Sequence, residues 1–157
     1  MEPEVLVDEL TRERDALFEV LASVSEESMT TPGLVGDWSG RDLIAHVGYW
    51  TGHAGELIHE LEQGRIDDIG AGQPPTDEVN ETVARIARTT DLSTVRRREA
   101  ASFDALVERI RAMEPALLEL MLPDGASVAQ GIREDGSAHY REHADELRAA
   151  LSERADA

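Results

Sequence analysis

A chain of 157 residues with 33 acidic and 15 basic side chains, a formal charge of −18 and no cysteine excludes several classes of function. Binding to phosphate backbones or anionic lipid relies on basic patches that release counterions, so neither nucleic acid nor a membrane surface is an expected partner. Without cysteine there is no disulfide framework, no cysteine-containing zinc site and no thiol nucleophile of the protein's own.

The length suits one domain spanning residues 1–157, able to bury roughly 70% of the surface its unfolded chain would expose. Alanine, leucine and valine dominate the apolar positions alongside many glutamates and arginines, which favours an all-α fold. The opening "MEPEVLVDELTRERD" is charged throughout and reads as neither a signal peptide nor a membrane span, so a cytoplasmic protein is expected. From Pro3, apolar residues recur at Val5, Leu6, Leu10, Leu17, Val20, Leu21 and Val24 with a helical period, which predicts a first helix over about 3–24. "SEESMTTPGLVGDW" breaks the period and holds Pro32, Gly33 and Gly36, so it reads as a loop with at most one short turn.

Ser39 followed three residues later by Asp42 is a capping-box variant, and it predicts a second long helix over about 40–63 that stops at Gly64. A connection rich in Gly and Pro follows, after which Thr76 can cap a shorter helical segment, "DEVNETVARIART". The third long helix starts near Asp91 or Leu92 and carries Val95, Phe103, Leu106, Val107 and Ile110 at helical spacing. The basic run Arg96 to Arg98 within it reads as a solvated face that pairs with nearby glutamates. Pro115 starts a fresh turn or kinks the end. "LPDGASVAQGIREDGS" is predicted as the last loop, Ser137 or Asp135 as the cap of a fourth long helix over about 138–154, and "SERADA" as a fraying tail. Four long helices make a four-helix bundle the economical architecture.

The five histidines fall unevenly on this frame. His46 shares the apolar stripe of the second helix with Leu43, Val47, Trp50, Ala54, Leu57, Ile58 and Leu61; His53 lies at its border and His59 on the opposite, wet face. His139 and His143, four apart, share the inner side of the fourth helix with Tyr140, Ala144 and Leu147, a spacing that lets two imidazoles reach one ion. Read from spacing alone, a histidine on an apolar face is more often a core residue bonded to a neighbour, and a pair four apart often arises by chance in helices. As a set they would give three neutral nitrogen donors and leave positions open on Zn²⁺, Ni²⁺, Fe²⁺ or Mn²⁺ for water or substrate. Asp42 and Asp135 can either accept the second ring N–H of these histidines or cap their helices.

These residues carry a resemblance. "DWSGRDLIAHVGYW" resembles the second-helix motif of the DinB/YfiT superfamily, in which a tryptophan precedes a polar cap and a helix bearing one metal-ligand histidine. "HYREHADELR" is similar to that superfamily's fourth-helix motif, with two further ligand histidines four apart. "TDEVNETVARIARTTDLSTVRRREAASFDALVERI" resembles the segment leading into the third helix in DinB-like and ClbS/DfsB-like members. The resemblance implies a DinB/YfiT-like four-helix bundle with a long crossover between helices 2 and 3, often a homodimer. It also implies a divalent metal, zinc or nickel foremost, on His46, His139 and His143. Characterised relatives include S-transferases that use mycothiol, bacillithiol or glutathione, a mycothiol-dependent maleylpyruvate isomerase and ClbS-type resistance proteins; DNA binding is not implied.

The leading expectation is therefore a metal-dependent enzyme that joins a low-molecular-weight thiol, acting as cosubstrate, to an electrophilic small molecule. Tyr49, Trp50, His53 and Tyr140 are candidates to line its pocket, and each reads equally as a packing residue. The alternatives are a metal-dependent hydrolase and a non-catalytic bundle that binds a small molecule or serves stress resistance.

Overall fold

Four long helices account for the bundle in a computed structural model that describes residues 1–156: α1 (Pro3–Leu21), α3 (Gly40–Glu62), α5 (Leu92–Arg111) and α7 (Ser137–Asp156). Shorter helices α2 (Glu26–Thr30), α4 (Thr76–Ala87) and α6 (Val128–Asp135) and two 3₁₀ turns (Ile66–Asp68 and Pro115–Glu119) complete the chain. The fold is the all-α four-helix bundle expected, with its long crossover between the second and third long helices. Its two most extensive pairings are α3 with α5 and α1 with α7, and the crossover between α3 and α5 lays α4 along α3. None of the described helices is long and apolar enough to cross a membrane.

The stripe predicted for the second helix is the buried face of α3: Leu43, Ile44, Val47, Ala54 and Ile58 join Leu10 and Leu17 of α1, Leu106 and Ile110 of α5 and Leu147 of α7 in one cluster. Burying such side chains contributes roughly 1.5–3 kcal/mol each. Gly48 lets α3 and α5 approach closely, since a Cβ there would lie 3.1 Å from both Cα and Cβ of Glu99 on α5. The capping box holds as read: Ser39 Oγ accepts the Asp42 N–H at 3.2 Å and Asp42 Oδ2 accepts the Ser39 N–H at 3.0 Å. Gly64, with φ of +73°, follows the helix end where a stop was expected.

Several boundaries differ from expectation. Helix α1 ends at Leu21 rather than near 24, because the backbone tightens: Ser23 and Val24 N–H bond to the carbonyls of Val20 and Leu21, and Ser23 Oγ adds a bond to Val20 O. The "SEES" loop forms α2, capped by Ser25 Oγ on the Ser28 N–H and helped by Glu26 and Glu27 in its first turn. Thr76 does not cap α4; it is the first helical residue, and Pro75 offers its carbonyl to Glu78 and Val79.

The predicted last loop contains α6, introduced by a second capping box between Ser127 and Gln130. Neither Ser137 nor Asp135 caps α7: Ser137 is buried within it, Gly136 O accepts the Tyr140 N–H, and the Asp135 carboxylate is taken by His53. Helix α7 extends through Asp156, and Arg154 donates to Gly33 O at 2.6 Å and Ser28 Oγ at 3.1 Å; Ala157, the last residue of the predicted tail, lies outside the described residues. The Arg96–Arg98 face is solvated but makes no ion pair among the described residues; Arg97 bonds Thr94 instead.

Candidate metal centre

His46 stands in the second turn of α3, while His139 and His143 stand in the first two turns of α7, and the bundle points all three rings at one place. His139 Nε2 lies 2.9 Å from His46 Nε2 and 2.8 Å from His143 Nε2. The ring centroids are 4.5 to 4.7 Å apart. His46 and His143 are buried, at 5% and 7% exposure, and His139 is half-buried. The direction and offset of the two helices, which periodicity left open, thus bring the third nitrogen to the other two.

Hydrogen bonding among the rings does not account for this arrangement. A neutral imidazole offers at Nε2 either one proton or one lone pair, so His139 can make at most one of its two short contacts at full strength. His143 Nδ1 faces Glu146 Oε2 at 3.1 Å, which selects the tautomer with the proton on Nδ1 and turns its Nε2 lone pair toward the shared point. The Nδ1 atoms of His46 and His139 are buried without a partner. Burial, and then the other two rings, push the His46 pKa down to about 3. Burial and His143 push His139 down to about 4. Three imidazole nitrogens therefore converge, and among the described residues these form the only group of three or more whose histidine or carboxylate ligand atoms lie within 4.8 Å of one another. A tetrahedral ion with bonds of about 2.0–2.1 Å holds its nitrogens about 3.3 Å apart and a facial octahedral set about 3.0 Å, so the residues present fit a divalent metal.

The remaining sequence candidates divide. Trp50 joins the triad: it lines a cavity of about 590 Å³ beside the histidines, its ring centroid is 6.4 Å from that of His139, and its Nε1–H donates to Asn80 Oδ1 at 2.9 Å. His53 lies on the other side of Trp50 and lines a neighbouring cavity. It bonds Asp135 Oδ2 at 2.6 Å and Gln73 at 2.6 Å, and Asp135 raises its pKa. His59 is half-buried rather than fully wet. Tyr49 does not line the cavity at the triad; it is 42% exposed beside a separate groove against α4 and α5.

Tyr140 is not in that cavity either. It points into the core, where its hydroxyl donates to Glu99 Oε1 at 2.6 Å and receives Thr51 Oγ1 at 3.0 Å. Asp42 serves as a cap and Asp135 as the partner of His53, so neither orients a triad ring. Trp38, not singled out for the pocket, packs on the triad with its ring centroid 4.6 Å from that of His46. Its place immediately before the Ser39 cap was the available signal. Also missed were the carboxylates of Asp37, Glu134, Glu142 and Glu146 along the cavity wall.

No curated protein sequence matches the chain. Among solved structures, an uncharacterised protein from Escherichia coli UTI89 superposes with a TM-score of 0.77 at 14% identity, covering 98% of this chain and 94% of that one. A histidine-to-alanine variant of the mycothiol-dependent maleylpyruvate isomerase superposes with a TM-score of 0.69 at 16% identity, over 94% of this chain. The present chain spans 61% of that enzyme's length. At such identities the likeness concerns the fold. Residues 10–144 match the family model described as the mycothiol maleylpyruvate isomerase N-terminal domain, so the chain belongs to that family within the DinB superfamily.

Proposed function

We propose that the protein is a metal-dependent enzyme that transfers a low-molecular-weight thiol to an electrophilic small molecule, with His46, His139 and His143 as the metal ligands. The observation that carries this reading is the convergence of three imidazole Nε2 atoms whose short contacts no tautomer assignment satisfies together. Membership of a family whose printed description joins mycothiol to an isomerase supports the thiol half.

A divalent ion held there would lower the pKa of a bound thiol and keep its sulfur as thiolate. The chain supplies the rest. Trp38 and Trp50 are half-buried against the histidines and offer flat apolar walls against which an acceptor can be oriented. Asn80 fixes the Trp50 ring, and Glu146 holds the proton of His143 on Nδ1. With no cysteine in the chain, the attacking sulfur comes from the cosubstrate. In a displacement on such an acceptor the sulfur–carbon bond forms as the carbon–leaving-group bond breaks. The leaving group departs with the electron pair, and the thiol proton has already passed to solvent.

The test is metal analysis of untagged protein, followed by turnover of a chloronitrobenzene with and without added thiol. Near-stoichiometric zinc or nickel is expected in the wild type, falling at least about tenfold in His46→Ala and in His143→Ala, with turnover only when thiol is present. A wild type that cannot be loaded with either metal overturns the ligand assignment, and turnover without thiol overturns the transfer.

A further inference from the structure

The wall of the cavity at the triad carries five carboxylates, Asp37, Glu134, Asp135, Glu142 and Glu146, and no arginine. Chance in an acidic chain is not a sufficient account, because arginines stand directly beside these residues in sequence and are drawn elsewhere. Arg133, before Glu134, makes a two-point pair with Glu9 of α1 at 2.7 and 2.9 Å. Arg141, before Glu142, reaches Glu13 of α1 at 3.5 Å. Asp37, Glu134 and Glu142 are exposed and make no ion pair among the described residues. The neighbouring cavity around His53 is also lined by carboxylates, Glu56, Asp68 and Asp124 among them, although Glu60 in its wall is paired with Arg65 at 2.6 and 2.9 Å. Grooves elsewhere on the molecule do have arginine in their walls: Arg98 in one, Arg12 and Arg111 in another.

A cleft lined by one sign of charge concentrates ligands of the other and repels its own. A bound dication would offset part of this charge and leave the wall net negative. Resting on the thiol-transfer reading above, we propose that this site takes a cationic electrophile, such as one bearing an amine, together with an uncharged thiol, and turns away carboxylate-bearing substrates, a dicarboxylate most of all. Asp37, Glu134 and Glu142 are the specificity-determining residues. Through water, a unit charge about 8 Å from one carboxylate changes its binding about twofold, so three carboxylates together separate a cation from its uncharged analogue by about tenfold before salt screening.

The chain's only two tryptophans, Trp38 and Trp50, both line this cavity, so intrinsic fluorescence reads its charge without any turnover. Zinc-loaded and metal-free protein are titrated with caesium, iodide and acrylamide. A matched pair of unreactive nitrophenyl ligands, one carrying trimethylammonium and the other carboxylate, is then bound and followed by the same emission. Relative to free indole, caesium quenching is expected to exceed iodide quenching several-fold. At physiological salt, where a Debye length of about 8 Å cuts the unscreened cation-to-anion ratio from about a hundredfold, the cationic ligand is expected to bind about tenfold more tightly than the anionic one. Both differences should shrink to about twofold or less in D37N/E134Q/E142Q and at high salt. Equal quenching by the two ions, tighter binding of the carboxylate ligand, or an unchanged ratio in the triple variant overturns the proposal. The thiol-transfer reading fails by a different outcome: absence of thiol-dependent turnover in zinc-loaded protein whose fluorescence still shows the charge preference.

Discussion

Replacing Arg14 by methionine removes the counterion of a carboxylate buried in the core. Glu99 is 1% exposed and receives Arg14 Nε at 2.7 Å and Nη2 at 2.8 Å, besides the Tyr140 hydroxyl. The guanidinium also lies over the rings of Phe18 and Phe103, at 4.7 and 4.5 Å from their centroids, and its pKa is raised, first by the bonds to Glu99. Breaking a buried pair from one side costs about 3–5 kcal/mol, because the remaining charge is uncompensated. The lower end applies here: Arg14 is itself partly exposed and Tyr140 still donates to the carboxylate. With a urea m-value of about 2 kcal/mol/M, Arg14→Met should lower the unfolding midpoint by about 1.5 M at pH 7.

The double variant Arg14→Met/Glu99→Leu should regain most of the loss. In it the Tyr140 hydroxyl can turn its proton to Thr51 Oγ1, 3.0 Å away, as the Thr51 proton passes from that contact to its other acceptor, Val47 O at 2.8 Å. Urea titrations followed by circular dichroism decide the matter. A single variant costing less than about 1 kcal/mol, or a double variant no more stable than the single, refutes the reasoning.

Two further outcomes are expected. In metal-free protein, His46 and His139 have folded pKa values of about 3 and about 4, below the unfolded value of about 6.5, so the stability they contribute is present above pH 6.5 and is lost as pH falls toward 4, by up to about 1.4 kcal/mol per pH unit for each ring. His53, raised by Asp135, contributes the opposite way, with stability present below pH 6.5 and lost as pH rises through its folded pKa. Urea unfolding of the metal-free protein at pH 7 and pH 5 checks this, and His46→Leu should flatten the slope by one ring's share; an unchanged slope would count against it. Two glycines of α3 should respond in opposite directions. Gly48→Ala forces a Cβ to within 3.1 Å of Glu99 Cα and should cost about 1–3 kcal/mol. Gly55→Ala, whose Cβ would meet Arg109 Cδ at an ordinary 3.8 Å, should gain up to about 1 kcal/mol of helix propensity, so the thermal midpoints of the two variants should move apart.

What could be read from the sequence was what short-range physics decides. The α3 stripe, its capping box and the place of Gly64 depend on residues within a turn or two of each other, and they stand as expected. The same logic was available for α6, where Ser127 and Gln130 form a capping box ahead of Ala129 and Ile132, but the glycines on either side made the stretch read as a loop. Roles set by distant partners were not legible. Asp135 stands four residues before His139, the right spacing for orienting a ring, yet it serves His53, 82 residues away. Tyr140 is amphipathic enough to line a pocket, and only the position of Glu99 shows that its hydroxyl belongs in the core. The charge of the cavity wall was similarly hidden, because arginines and carboxylates alternate along α6 and α7 and only the fold shows that α1 draws the arginines away.

The core and the histidine site meet at Tyr140. Successive residues on a helix point about 100° apart, so once one side chain is fixed the directions of its neighbours follow. Tyr140 follows His139 directly and precedes His143 by three; its hydroxyl, gripped by Glu99 of α5 and Thr51 of α3, sets the rotation of α7 about its axis. Given that rotation, His139 and His143 must face the start of α3, where the Ser39–Asp42 cap has already fixed the turn that presents His46. Holding His139 Nε2 at 2.9 Å from His46 Nε2 and 2.8 Å from His143 Nε2 needs registration finer than apolar packing alone imposes, since an apolar contact has no preferred direction. A buried carboxylate paired with one arginine and one tyrosine is directional, and its loss should therefore loosen the triad as well as the bundle.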